Sequence, residues 1–170
     1  MVVGADKCQL FTRRPSELNP AELDGFVALV ELGGEVAPGL RERIAGSLGV
    51  VLVLSEGTII GTAALKRPVR AYRDDVFRKA GVPDAAGSFA LELGWVFIAE
   101  PFRGNGLAGR AVVSALDLAE GRSVFATTRE TNAPMQRLLV SHSFGVTGHS
   151  YDSQQHQGQK LRLLARPAKG

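Results

Sequence analysis

A short run at positions 102–108, Phe-Arg-Gly-Asn-Gly-Leu-Ala, combines residue types that can bind an anion through the backbone. An apolar segment, 93–99, precedes it, and a segment with apolar residues at helical spacing, 107–119, follows it. This order predicts a strand, a turn and a helix start, where backbone N–H groups lack partners and the helix dipole is positive. Gly104 and Gly106 have no Cβ, so the backbone can approach a ligand closely. The run therefore predicts a phosphate or pyrophosphate site.

Other kinds of phosphate site fit this turn less well. The chain contains no G-x-x-x-x-G-K-[ST] sequence, so it has no P-loop. Gly104, Gly106 and Gly109 match the letters of a dinucleotide-binding fingerprint, which normally lies in an early βαβ unit with an acidic residue about 20 residues further on. Here the turn comes late, and Asp117 and Glu120 fall on or at the end of the predicted helix. A turn that serves packing alone is a further alternative.

Length and composition predict a single globular domain over residues 1–170. Hydrophobic residues make up 45% of the chain, and no apolar stretch approaches the about 18 residues of a membrane span. Cys8 is the only cysteine, which excludes an intrachain disulfide and a cysteine-based metal cluster. The stretch Met1–Leu10 shows no secretory signal. We therefore expect a cytoplasmic protein without a membrane partner.

The charge pattern favours an anionic small molecule over nucleic acid. The net charge of +3 is mildly basic, and the basic residues of segment 67–79 are interrupted by two aspartates, as on a solvated helix face. His142, His149 and His156 are seven residues apart, so no two of them lie on adjacent turns of one helix. We expect surface histidines and no metal site.

Hydrophobic periodicity predicts the element order β-α-α-β-β-(α)-β-α-β-α-β-β. The predicted strands are 8–12, 50–54, 59–65, 89–99, 124–128, 146–151 and 160–165. The predicted helices are 20–33, 38–47, 72–80, 107–119 and a helix capped by Asn132 with Pro134 in its first turn. The last two strands are expected to form a closing hairpin around the polar loop 152–159.

Two motifs in this order resemble the GNAT superfamily of N-acetyltransferases. Arg103-x-x-Gly106-x-Ala108 resembles the acyl-CoA signature Q/R-x-x-G-x-G/A of that family. The segment 125–139 resembles the family's fifth strand and following helix, whose pattern is N-x-x-A/M-x-x-L-Y-x-x-x-G-F. Matches to this second pattern are Asn132, Met135, Leu138 and Phe144. The resemblance implies an α/β (α+β) GNAT fold: a mixed, mostly antiparallel twisted sheet of about seven strands, with a central β-α-β unit that binds CoA and with flanking helices.

The resemblance also implies how acetyl-CoA, the expected cosubstrate, is bound. The central strand is expected to splay from its neighbour and to pair its backbone with pantetheine, and the loop that follows is expected to hold the pyrophosphate. Asn132 is expected to contact the pantetheine arm. The implied cofactor-binding residues are Val96, Phe97, Ile98, Arg103, Gly104, Asn105, Gly106, Leu107, Ala108, Asn132 and Met135.

Glu92 is the candidate general base. It lies on the predicted central strand with Leu91 and Leu93 as neighbours, and burial among apolar side chains disfavours a charged carboxylate, which suits a base at neutral pH. In some protein-acetylating members of the family the base glutamate occupies this place, 11 residues before the position of Arg103. The alternative is that Glu92 faces solvent or pairs with an arginine. The amide of Ile98 is the implied donor to the thioester oxygen.

The general acid is less well defined, because Leu139 stands where many family members have tyrosine, and Ser143 replaces the family glycine. Tyr151 is the candidate catalytic proton donor, and Tyr72 and Ser141 are alternatives. A thiolate can also leave without a dedicated acid, since a thiol pKa of about 8.5 makes the thiolate a tolerable leaving group.

The acceptor amine is expected to bind near the first two helices, segment 67–87 and the last hairpin. Candidate substrate-binding groups are Glu31, Tyr72 and Trp95, with Glu35 and Tyr151 as further lining groups. The leading hypothesis is acetyl transfer to a primary amine of a small molecule or protein, with a homodimer left open. The alternatives are a GNAT-fold CoA-binding module without catalysis and a different nucleotide-dependent enzyme.

Overall fold

The structure is a computed structural model that describes residues 7–170. It divides into two compact units, which are described separately. The first unit comprises described residues 7–66 together with Leu93–Leu118, and the second comprises Arg67–Glu92 and Ala119–Gly170. Within the described residues, no helix has both the length and the apolar character to cross a membrane. The stretch Met1–Leu10, predicted to lack a secretory signal, lies partly outside the described residues.

The helices and strands follow the predicted order. The helices are α1 Pro20–Leu32, α2 Leu40–Ala45, α3 Arg70–Lys79, α4 Leu107–Asp117 and α5 Ala133–Ser141. The strands are β1 Cys8–Arg13, β2 Gly49–Ser55, β3 Thr58–Lys66, β4 Leu91–Ile98, β5 Val124–Arg129, β6 Gly145–Val146, β7 Tyr151–Asp152 and β8 Lys160–Arg166. Short 3-10 helices cover Pro15–Glu17, Pro83–Ser88 and Glu100–Phe102.

In the first unit, hydrogen bonding orders the strands β1-β2-β3-β4. β1 and β2 are antiparallel, and so are β2 and β3. The segment Val50–Val53 is fully buried, as its continuous apolar sequence predicts. Phe26 and Val30 of α1 pack into the same core. This core supports the strand from which the candidate anion loop follows.

Local capping signals fix where α1 begins. Asn19 Oδ1 accepts a 2.8 Å hydrogen bond from the backbone N–H of Glu22, and the Glu22 side chain accepts from the backbone of Asn19. Pro20 occupies the first turn, where its missing N–H costs nothing. α2 begins at Leu40 rather than at the predicted residue 38, because Gly39 adopts a left-handed conformation, with φ of 76°, at the N-cap.

In the second unit, β4 starts beside β5 in parallel, with Leu91 opposite Val124 and Glu92 opposite Phe125. β5 is antiparallel to β8, and β8 also pairs with β6 and β7. The side chain of Phe77 stacks on Phe89 at 5.4 Å between ring centroids and meets Phe125 edge-on at 5.3 Å. These aromatic contacts fix the position of α3 in the core of this unit.

The predicted strand 146–151 is wrong as a continuous element. Gly148 has a φ of 66°, and a Cβ there would clash with the carbonyl oxygen of Ala80. The backbone N–H of His149 donates to that same carbonyl at 2.9 Å. The chain therefore leaves the sheet at this point, and the segment forms β6 and β7 on either side of the interruption. Within residues 7–170 the sheet has eight strands for this reason, and its mixed, mostly antiparallel character is confirmed.

Candidate functional site

The loop before α4 has the backbone conformation of an anion cradle. Gly104 and Gly106 have φ of 82° and 72°, in the left-handed region that side chains disfavour. Gly106 is the N-cap residue of α4, so the first N–H groups of that helix follow directly. A Cβ built on either glycine would meet no other heavy atom within 4 Å. The glycines are therefore required by backbone conformation, and the open space beside them allows close approach of a ligand.

Side chains brace this loop from within the first unit. Arg103 Nε donates a 2.8 Å hydrogen bond to the carbonyl oxygen of Ile98, and its guanidinium carbon lies 5.3 Å from the centre of the Phe97 ring. Asn105 Nδ2 donates to the carbonyl oxygen of Phe102 at 3.1 Å. These contacts shape the loop and fit a cradle whose donors to an anion are mainly backbone N–H groups. Leu107 is buried and anchors the first turn of α4, and Ala108 follows it half-buried.

Strand β4 has an irregular conformation at Trp95. This residue has a φ of 50°, and its carbonyl oxygen accepts a 2.7 Å hydrogen bond from Thr62 Oγ1. Ile98, at the end of the strand, is buried, and its side chain fills the space that the absent Cβ of Gly61 leaves. The indole Nε1 of Trp95 donates to Glu35 Oε2 at 3.3 Å. Two of the sequence-derived acceptor candidates are thus in direct contact.

Glu92 is the most deeply buried carboxylate of the second unit. Its side chain is only 2% exposed, so the alternative in which it faces solvent is wrong. The hydroxyl of Tyr72, on α3, donates a 3.1 Å hydrogen bond to Glu92 Oε1. Tyr72 is 42% exposed as a residue, so its ring lies partly in solvent while its hydroxyl points inward. The structure therefore brings the base candidate and one substrate-binding candidate together.

The two tyrosines of this cluster stay protonated well above neutral pH. Burial of the hydroxyl, the charge of Glu92 and the nearby Tyr151 raise the pKa of Tyr72, while a hydrogen bond with Thr127 opposes the rise. Burial, the charge of Glu92 and the charge of Asp75 raise the pKa of Tyr151. The Tyr151 hydroxyl has no hydrogen-bond partner among the described residues, although the residue is only 9% exposed. A buried, unpartnered hydroxyl is costly and suggests a ligand group as its partner.

The helix α5 carries the second sequence motif. Asn132 Oδ1 accepts a hydrogen bond from the backbone N–H of Met135 at 3.2 Å, which confirms Asn132 as the cap of α5. Leu139, in place of the family tyrosine, is 2% exposed and belongs to the core. Ser143 has a φ of 70°, and the N–H of Phe144 donates back to the carbonyl of Leu139. Ser143 thus adopts the left-handed conformation that explains a glycine at this position in the family pattern.

The remaining candidates lie apart from these contacts. Glu31 is exposed on the last turn of α1. His149 packs against Gly81, where an added Cβ would lie 2.6 Å from Nε2. Among residues 7–170, no group of three or more His, Cys, Asp or Glu side chains could hold a metal ion. The sequence did not single out Thr127, which hydrogen-bonds with Tyr72, or Arg43, which donates to Glu35. No local pattern marks a residue whose partner lies elsewhere along the chain.

Residues 15–144 match the model of the acetyltransferase (GNAT) family, which covers most of the chain. The chain belongs to this family. Family membership and the fold support acetyl transfer from an acyl-CoA as the general class of activity. No curated protein matches the chain.

Solved structures of the family share the fold at low sequence identity. Escherichia coli ElaA superposes with a TM-score of 0.68 at 15% identity, covering 94% of this chain and 99% of that one. A GNAT family acetyltransferase from Elizabethkingia anophelis, solved with acetyl-CoA bound, has a TM-score of 0.64 at 13% identity, with coverages of 95% and 99%. Arabidopsis thaliana Naa50, in complex with the bisubstrate analogue CoA-Ac-MVNAL, has a TM-score of 0.68 at 10% identity, with coverages of 94% and 98%.

Proposed function

We propose that the chain transfers an acetyl group from acetyl-CoA to a primary amine, with Glu92 as the general base. The observation that carries this proposal is the buried Glu92 carboxylate, hydrogen-bonded by the neutral hydroxyl of Tyr72. A buried carboxylate that is oriented by a donor can accept a proton from an amine without competition from bulk water. Family membership supports acetyl transfer, and the position of Glu92 supports its role.

We propose that acetyl-CoA is held through the backbone of β4 and of the following loop. Acetyl-CoA supplies an acetyl group activated as a thioester. The positive φ of Gly104 and Gly106, and the open space beside both, fit the close approach of a pyrophosphate. The proposed binding residues of the first unit are Val96, Phe97, Ile98, Arg103, Gly104, Asn105, Gly106, Leu107 and Ala108. Asn132 and Met135, at the start of α5, are further proposed binding residues.

The proposed chemistry assigns one task to each group. Glu92 accepts the proton of the amine, and the backbone N–H of Ile98 donates a hydrogen bond to the thioester oxygen as negative charge develops there. Tyr151 donates a hydrogen bond to the departing sulfur. An ordinary tyrosine has a pKa of about 10, already above the thiol value of about 8.5, and burial raises the pKa of Tyr151 further, so hydrogen bonding is favoured over full proton transfer. Glu31, Tyr72 and Trp95 are proposed to line the acceptor.

Replacement of Glu92 tests this proposal. Glu92→Gln keeps the shape and the oxygen that accepts from Tyr72 but removes the base, so we expect kcat to fall by about 10² to 10⁴. Binding of acetyl-CoA, measured by calorimetry, should change little. The exposed Glu120 offers a matched control, because Glu120→Gln makes the same charge change at the surface of the same unit. Near-normal turnover of Glu92→Gln at neutral pH would contradict the assignment.

A CoA-binding module without catalysis is the second candidate function. The buried Leu139 favours it, because an aliphatic side chain at the usual tyrosine position cannot donate a proton. Thiol release from acetyl-CoA, assayed with a panel of small amines and peptides, separates the two functions. Tight acetyl-CoA binding without amine-dependent thiol release would support the module, and amine-dependent release would support the enzyme.

A further inference from the structure

Trp95 lies in a conformation that its own side chain disfavours. Its φ of 50° places a bulky residue in the left-handed region in the middle of β4. This conformation costs roughly 1–2 kcal/mol for a residue with a Cβ. Surrounding contacts must therefore hold the strand in this shape.

Buried groups hold the backbone and one edge of the indole. Thr62 Oγ1 donates a 2.7 Å hydrogen bond to the Trp95 carbonyl oxygen, and Thr62 is fully buried. The ring of Phe26 meets the indole edge-on, with 6.1 Å between the centroids. Lys66 Nζ lies 4.9 Å from the centre of the indole ring. These contacts come from α1 and from β3.

A charged pair from the segment before β2 holds the polar edge of the indole. Glu35 Oε2 accepts from Trp95 Nε1 at 3.3 Å and from Arg43 at 3.3 Å. The guanidinium carbon of Arg43 lies 5.8 Å from the centre of the indole ring. Arg43 also donates to the carbonyl oxygen of Ala37 at 2.9 Å, and Glu35 Oε1 accepts from the N–H of Ala37 at 2.9 Å. Segment 35–43 is thus tied both to itself and to β4.

The same part of the chain also contacts β4 two residues further on. A Cβ on Gly33 would lie 2.9 Å from the Phe97 ring, so only glycine allows this close packing. Phe97 in turn supports the guanidinium of Arg103 in the anion loop. Residues 33–43 therefore touch β4 on both sides of Val96, just before Ile98.

We propose that Glu35 and Arg43 are positioning residues that clamp Trp95 in its strained conformation and so set the direction of the β4 backbone N–H groups. This inference rests on the proposed function, in which the N–H of Ile98 stabilises the thioester oxygen. Without the clamp, β4 can relax toward a regular strand, and the donor turns away from the reacting oxygen. A misplacement of about 1 Å in such a group can cost up to about a hundredfold in rate.

Glu35→Gln tests the clamp directly, because it removes the charge that holds Arg43 and leaves one side-chain oxygen where Glu35 uses two. Trp95 is the only tryptophan of the chain, so its fluorescence reports the clamp without labelling. We expect a shifted emission maximum and a kcat lowered about ten- to a hundredfold, with the Kd for acetyl-CoA and the melting temperature nearly unchanged. Glu42→Gln is the control, because Glu42 is exposed on α2 next to Arg43. Unchanged emission and unchanged kcat in Glu35→Gln would overturn the proposal.

A pH titration gives a second, independent readout. Burial tends to raise the pKa of Glu35, but hydrogen bonds from Arg43, the N–H of Ala37 and the Trp95 indole, together with the Arg43 charge, outweigh burial and lower it. Because the pKa of Glu35 is lowered in the folded state, ionised Glu35 contributes to the free energy of unfolding at pH values above its ordinary pKa of 4.5. This contribution is lost as pH falls through the lowered pKa. We expect the emission of Trp95 to change with pH below 4.5 in the wild type and not in Glu35→Gln.

The outcomes separate this inference from the proposed function. If Glu92→Gln retains turnover, the assignment of the base fails, while the fluorescence changes of Glu35→Gln still test the clamp. If Glu92→Gln is inactive and Glu35→Gln lowers only the melting temperature, with kcat retained, the clamp is merely structural and the inference is overturned. The Trp95→Phe variant, which lacks the indole donor, should lower kcat to a similar extent as Glu35→Gln.

Discussion

The hydroxyl of Tyr72 donates a hydrogen bond to Oε1 of Glu92 across 20 positions of sequence. This bond joins the exposed surface of α3 to one of the most buried carboxylates of the chain. Because burial and the Glu92 charge raise the pKa of Tyr72, the hydroxyl keeps its proton and remains a donor throughout the neutral range. The bond orients the carboxylate oxygens of Glu92, so removing it should change the kinetics of the proposed reaction.

Tyr72→Phe removes this donor and keeps the ring. A hydrogen bond to a charged group is worth about 1.5–3 kcal/mol, so loss of the bond that orients the base should lower kcat/KM for the amine roughly ten- to a hundredfold. The measurement is kcat/KM for the amine at about pH 7. Thr127→Ser, which keeps the hydroxyl that bonds to Tyr72, should leave kcat/KM unchanged. An unchanged kcat/KM in Tyr72→Phe would show that the bond has no part in the base chemistry.

Tyr151→Phe should change stability and activity in opposite directions. The lost hydroxyl is buried and has no partner among the described residues, so its removal should leave the free energy of unfolding unchanged or raise it by about 1 kcal/mol. If this hydroxyl hydrogen-bonds the departing sulfur, kcat should fall about tenfold or more. Urea unfolding and steady-state kinetics measure the two effects. A variant that is more stable and fully active would assign Tyr151 to the core alone.

Gly106→Ala should weaken acetyl-CoA binding, and the loss of binding should exceed what its cost to folding stability alone would cause. The left-handed conformation at Gly106 costs an alanine roughly 1 kcal/mol or more, and the new methyl group would occupy the open space beside the loop. We expect the KM for acetyl-CoA to rise at least about tenfold, which corresponds to about 1.4 kcal/mol.

Gly158 provides the control for this experiment. It has a similar φ of 78°, and an added Cβ would also meet nothing within 4 Å, but it lies in the polar loop of the second unit. Gly158→Ala should lower the melting temperature by a similar amount and leave the KM for acetyl-CoA unchanged. Equal KM values in the two variants would count against the loop as the pyrophosphate site.

Ser143→Gly should stabilise the protein. Glycine relieves the strain of a φ of 70° after α5, roughly 1–2 kcal/mol, but makes the unfolded chain more flexible by about 0.4–1 kcal/mol. The expected net gain in the free energy of unfolding is up to about 1 kcal/mol. Ser141→Gly, at the last residue of α5, should instead destabilise by roughly 0.5 kcal/mol. A loss of stability in Ser143→Gly would contradict this explanation of the position.

Features that depend on residues close together along the chain could be predicted from the sequence. Pro20, and Asn132 with Pro134, predict the starts of two helices because such signals act within one turn of the chain. The glycines of the anion loop predict its conformation for the same reason. The apolar neighbours of Glu92 predict its burial.

Which distant groups meet depends on the packing of the folded chain. Glu92 meets Tyr72 because α3 packs on the second unit's core through Phe77, and nothing near either residue in sequence marks that pairing. The interruption at Gly148 depends in the same way on the carbonyl of Ala80. The left-handed Trp95 is the clearest case, since its local preference is for a regular strand. Long-range hydrogen bonds and packing outweigh that preference, because their combined free energy exceeds the roughly 1–2 kcal/mol of backbone strain.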